Sequence, residues 1–174
     1  MVKTLYTDAG YRFQDTDLHP DHVIGRICVA DTEGFEQVEM VKIGKVPVLK
    51  QYINLLELIA IARAIEIAIE KGWVGSLAIH TDSQVAMIWA SSGKVSKKVE
   101  TVAHTSALEY LKKIRRNYIG IVTYNQVPRD YNPAGKRLEK ELEKDRKARK
   151  EQPNQPEAIS RESVTLDPLA DVSV

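Results

Sequence analysis

Between Gln51 and Lys71 the chain sets Leu55, Leu58, Ile59, Ala62, Ile65 and Ile69 at helical spacing, and most positions between them are apolar as well. A helix that is apolar nearly all round has no face for water, so it has to be deeply packed. Gly72 closes it as a C-cap. Glu57 breaks the pattern, with Leu55, Leu56, Leu58 and Ile59 around it. A carboxylate in such company is costly unless something cationic shares it.

What could bury this helix is legible on either side of it. Ahead of it, strands are predicted over about 3–9, 22–31 and 35–46, with Thr32-Glu-Gly34 as a hairpin turn between the second and third. Behind it come a strand over about 76–81, a helix from Ser83 to Ala90, a basic helix over about 96–116 and a strand over about 119–126. A charge-rich surface helix from Pro133 to about Lys150 follows. The order β-β-β-α-β-α-α-β-α predicts an α/β domain built on a mixed five-stranded sheet, with helices on both faces because both faces look apolar. Residues 1–150 are expected to form this one domain, and residues 151–174, with Pro153-Asn-Gln-Pro156 near their start, a polar, acidic, flexible tail.

Residues 151–174 hold five acids and one base, so the net charge of +1 leaves +5 on residues 1–150. Much of that surplus follows residue 93, in Lys94, Lys97, Lys98, Lys112, Lys113, Arg115 and Arg116. Such a stretch suits a phosphate backbone, and a solvated helical face explains it about as well. No apolar run is long enough to span a membrane, and the N-terminus lacks a signal peptide's hydrophobic stretch, so a cytoplasmic protein with no membrane partner is expected. The lone Cys28, in a predicted strand, reads as a core filler.

Two more acids stand out beside Glu57. Asp8 ends the first strand (Thr4-Leu-Tyr-Thr-Asp8), and Asp82 ends the fourth (Leu77-Ala-Ile-His-Thr-Asp82). Ligands of open α/β sheets bind at the C-terminal ends of strands. Any one of these acids alone reads as a turn or cap residue; three in this order read as a metal site. Divalent cations that clamp a phosphate need a compact group of oxygen ligands, and Mg²⁺ takes few carboxylates together with water and phosphate.

Three stretches carry a family resemblance: Tyr6-Thr-Asp8-Ala-Gly10, Asn54-Leu-Leu-Glu57-Leu-Ile-Ala60 and Thr81-Asp82-Ser83-Gln84. Each is weak alone, but their order and spacing resemble the ribonuclease H family, in its type 1 branch and the related reverse-transcriptase domains. The resemblance covers roughly residues 1–145. It implies a ribonuclease H-like fold and a metal-dependent endonuclease, a phosphodiester hydrolase, that cuts the RNA strand of RNA–DNA hybrids. Asp8, Glu57 and Asp82 would hold Mg²⁺ or Mn²⁺. Asn54, Gln84, Lys94, Lys97, Lys98 and Asn132 would bind the nucleic acid. Ser83 would either join them or serve as an N-cap.

At one position the chain departs from the family. Many members follow the last strand with Val-Pro-Arg-acid-x-Asn-x-x-Ala-Asp-x-Leu, whose final Asp is a fourth carboxylate. Here Val127-Pro-Arg129-Asp130-Tyr-Asn132-Pro-Ala-Gly-Lys136-Arg-Leu138 puts Lys136 in its place. The Lys136 ammonium could stand in for one metal and leave a one-metal site; Asp130 could approach as a replacement ligand; or the chain could be a silent nucleic-acid-binding or interaction module. The family's loop histidine has no counterpart between the fifth strand and the last helix.

Blander readings apply elsewhere. His19-x-x-His22 reads as a polar loop rather than a metal site, and Trp73 and Trp89 as packing residues rather than base-stacking ones.

Overall fold

The structure, a computed structural model, describes residues 1–11, 22–44 and 50–151. The expectations for His19 and for the tail beyond Glu151 lie outside the described residues. The elements are β1 (Val2–Tyr11), β2 (His22–Ala30), β3 (Glu36–Gly44), α1 (Lys50–Glu70), β4 (Gly75–Thr81), α2 (Gln84–Ser92), α3 (Val102–Asn117), β5 (Gly120–Gln126), a 3-10 turn (Arg129–Tyr131) and α4 (Pro133–Glu151). This is the predicted order. The strands form one sheet, β3-β2-β1-β4-β5. β2 runs antiparallel to both β3 and β1, while β4 lies parallel to both β1 and β5.

The period of two along β1 divides its side chains between two cores. Leu5, Thr7 and Ala9 are buried on one face, where α1 crosses β1, β2 and β4 with α2 and α3 packed against it. Tyr6, Asp8 and Gly10 point to the other face, where α4 lies over β1, β2 and β3. The core on that side is small: Cys28, Ala30, Ala134 and Leu138, with Tyr6, Val38 and Leu142 at its margin. Cys28 is fully buried there as a filler, and burial pushes its thiol pKa up to about 12.

Helix α1 is as deeply packed as its composition requires, since Leu55, Leu56, Leu58, Ile61, Ile65 and Ile67 are all within 2% of complete burial. The polar residues of its second half are put to use. Arg63 bridges Glu39 of β3 (2.7 Å), Glu66 (3.3 Å) and Glu70 (2.7 Å), and Tyr110 of α3 donates to Glu66. The helix closes with Gly72 N–H on the Ile69 carbonyl and Trp73 N–H on the Ala68 carbonyl, both 2.9 Å. It comes close to the sheet because β2 carries Gly25 beneath it. A Cβ at Gly25 would stand 2.3 Å from Leu56 Cδ1. That close approach brings the neighbouring Glu57 down to the strand ends.

The basic helix starts later than its pattern suggests. Thr101 caps α3 by accepting from His104 N–H (3.4 Å), so Lys97 and Lys98 fall in the turn ahead of it. Trp89 is buried edge-on against His104, ring centroids 5.4 Å apart, and Trp73 lies beside Lys3 and Lys71. Both tryptophans pack as expected. Among the described residues no helix is long and apolar enough to cross a membrane.

Candidate metal centre

The site begins at the end of a ladder. The parallel pairing of β1 with β4 stops at Thr7↔Thr81. Beyond it β1 continues beside β2 alone, with Asp8 opposite Cys28, while β4 ends. Asp8 and Asp82 are therefore equivalent residues, each one step past the last pair, where the sheet changes from antiparallel to parallel neighbours. A switch point of this kind leaves a crevice at the strand ends. Glu57 reaches it from α1: its Oε1 accepts from Ala9 N–H (3.2 Å) and its Oε2 from the Thr81 hydroxyl (3.4 Å). One carboxylate oxygen from each of Asp8, Glu57 and Asp82 lies within 4.8 Å of the others.

These anions share little water. Asp8 is 6% exposed, Glu57 is 3% exposed and Asp82 is half-buried. Burial first, and then the charge of Asp82, push the Asp8 carboxyl up to about 6. Burial followed by the charges of Asp8 and Asp82 carry Glu57 well above the usual carboxylate range. Either a proton or a metal cation must relieve the repulsion. The donors are all carboxylate oxygens, without histidine or cysteine, and that set fits Mg²⁺ or Mn²⁺ rather than zinc.

The chain after β5 closes one side of the crevice. Val127 N–H bonds the Thr81 carbonyl (2.9 Å), next to Asp82. Asn132 Nδ2 bonds the Thr7 carbonyl (2.9 Å), next to Asp8, while its Oδ1 caps α4 by accepting from Ala134 N–H (3.1 Å). The 3-10 turn between them thus spans the two acid-bearing strand ends. Asn132 is fully buried, so it fastens the site where direct contact with nucleic acid was expected. Replacing it by alanine should cost about 2–4 kcal/mol, by removing the buried bond to the Thr7 carbonyl together with the cap. Urea denaturation measures this, and a cost under about 1 kcal/mol would show that the fastening is unimportant.

Neither Lys136 nor Asp130, the candidates for the altered fourth position, is buried, and Asp130 is not among the described acids that converge. One helical step before Lys136, Gly135 is buried against the cluster. A Cβ on Gly135 would stand 3.3 Å from Asp8 Oδ2. Arg129, on the 3-10 turn, is a cation whose charge is felt at both Asp8 and Asp82. Sequence reading passed over it, although it stands one residue before Asp130 in the stretch being compared.

The remaining candidates are dispersed. Asn54 is half-buried one turn before Glu57, and Gln84 is exposed at the start of α2. Ser83 is the N-cap of α2, its hydroxyl accepting from Ala86 N–H (3.2 Å). Lys94, Lys97 and Lys98 are exposed in the α2–α3 connection, separated from the acids by α2, which is about 13 Å long.

No protein-family model matches the chain, and no curated protein matches it in sequence. Solved structures do match. Ribonuclease H1 of Halobacterium salinarum superposes with a TM-score of 0.57 at 16% identity, over 83% of this chain and 99% of that one. The N-terminal ribonuclease H domain of a Mycobacterium tuberculosis protein gives 0.55 at 17% identity, over 79% and 95%. LC11 ribonuclease H1, recovered from compost by a metagenomic approach and solved in complex with an RNA/DNA hybrid, gives 0.54 at 20% identity, over 80% and 98%. The chain accordingly has the ribonuclease H fold, the fold that its three acidic motifs imply.

Proposed function

We propose that this protein is a metal-dependent endonuclease that hydrolyses the RNA strand of RNA–DNA hybrids. The observation that carries the reading is the convergence of Asp8, Glu57 and Asp82 to within 4.8 Å at the switch point of the sheet. The similar fold of LC11 ribonuclease H1, solved with a hybrid, adds support. In this reading the three carboxylates hold Mg²⁺ or Mn²⁺. The bound ion supplies charge neutralisation at the phosphate and acidifies an attacking water.

The chain's own residues do the rest. Glu57 is fixed by Ala9 N–H and the Thr81 hydroxyl, so its oxygens are oriented before any ion arrives. Asn54 lies beside it on α1, suited to the minor groove of a hybrid, where the 2′-hydroxyl marks RNA. Gln84 and the α2 backbone contact phosphate at one end of that helix, and Lys94, Lys97 and Lys98 contact the backbone beyond its other end. A further acid is not needed for a single-ion site, and Gly135 leaves Asp8 uncrowded on the α4 side.

A labelled hybrid incubated with Mg²⁺ or Mn²⁺ tests this, comparing the parent chain with Asp8→Asn and Lys136→Asp. Cleavage by the parent that Asp8→Asn abolishes is the expected result. No cleavage by the parent, with activity gained in Lys136→Asp, would identify a silenced binding module instead.

A further inference from the structure

Arg129 sits at the middle of the span between the ends of β4 and β1, and its guanidinium is engaged elsewhere. Nε and Nη2 donate to a single oxygen, Glu139 Oε1, at 3.2 and 2.8 Å. The two side chains are 67% and 59% exposed. An ion pair this exposed fastens little, and the turn is already held at both ends by Val127 and Asn132. The pair therefore needs another account. A guanidinium has five N–H donors in a fixed fork, and carboxylate and phosphate oxygens present the same geometry to it. Three donors remain available on a residue that lies at the rim of a cluster of three acids. Such a cluster by itself repels a phosphate.

We propose that Arg129 takes hold of a backbone phosphate of the nucleic acid beside the carboxylate cluster, and that Glu139 is its resting partner, an internal anion that the phosphate displaces. The proposal rests on the nucleic-acid-cleaving reading above. Glu139 then sets a threshold: a lone phosphate competes poorly with a tethered carboxylate, whereas a polyanion already held by the lysines beyond α2 competes well.

The test is equilibrium binding of a labelled RNA–DNA hybrid to the full chain in EDTA, over a range of salt. Arg129→Gln should weaken binding about tenfold and reduce the slope of log affinity against log salt by about one. Arg129→Lys should keep the slope while losing part of the affinity. Glu139→Gln should tighten binding at least about threefold in the parent, yet do no more in the Arg129→Gln background than the control Glu143→Gln does. All these variants should unfold at the parent's denaturant midpoint, because the pair is exposed. Independent, additive effects of Arg129→Gln and Glu139→Gln would overturn the exchange. If that additivity appears in a chain that still cleaves the hybrid, only this inference falls. A parent that neither binds nor cleaves the hybrid would sink the nuclease reading along with it.

Discussion

Asp8→Asn should make the metal-free protein more stable at neutral pH while removing the metal-dependent cleavage proposed for it. The folded Asp8 carboxyl titrates at about 6, against an ordinary 3.8, and Glu57 is raised as well. Between about pH 4 and 6 the folded chain therefore binds more protons than the unfolded one. Its stability is complete below that window and declines as pH rises through it. Above about pH 6, removing the Asp8 charge should return on the order of 2–3 kcal/mol. A metal ion held by the three carboxylates should reverse the trend, since it would need them ionised and would bind only the folded site. Urea denaturation in EDTA and in Mg²⁺, from about pH 4 to 8, checks both halves. A parent chain that gained stability with rising pH in EDTA would contradict the electrostatic account. The expected loss of cleavage is about a thousandfold or more, equivalent to about 4 kcal/mol of transition-state stabilisation. The pattern is that of a site strained for function.

Gly120→Ala should be the most damaging conservative substitution in the sheet. Gly120 opens β5 with φ +148°, and a Cβ there would stand 1.9 Å from the Gly75 carbonyl oxygen and 2.7 Å from its carbon. Those atoms are backbone, fixed where Gly75 N–H bonds the Ile119 carbonyl (2.9 Å), so no rotamer change relieves the clash. Arg115 Nη2, which bonds the Gly120 carbonyl at 2.9 Å, pins the same corner from α3. The cost should reach about 4 kcal/mol, enough to leave little folded protein. Gly44→Ala, at the end of β3 with nothing within 4 Å, is the control and should fall within about 0.5 kcal/mol of the parent. Far-UV circular dichroism through a urea titration decides it, and similar midpoints for the two variants would refute the argument.

Local patterns determined a large part of this protein. The apolar run around Glu57 could only be a buried helix, and Asp82 stands just past the end of β4 as its sequence suggested, whereas β1 runs three residues beyond Asp8, which marks the end of the pairing with β4 rather than the end of the strand. Even the suspicion of a metal site was legible, since a carboxylate among leucines is costly wherever the chain places it. Only the tertiary structure decided what happened after β5. Whether residue 135 or 136 meets Asp8 depends on the rotation of α4 about its own axis. That rotation is set by Leu138 packing against Gly10 and by Asn132 bonding the Thr7 carbonyl 125 residues away in the chain. A linear comparison has no access to such an angle, so it singled out Lys136, which is exposed, and passed over Gly135, which packs against Asp8, and Arg129, whose charge is felt there. Sequence periodicity specifies which faces are buried; the identity of the side chain that reaches a crevice is settled by long-range packing, where a single helical step separates solvent from the centre of the site.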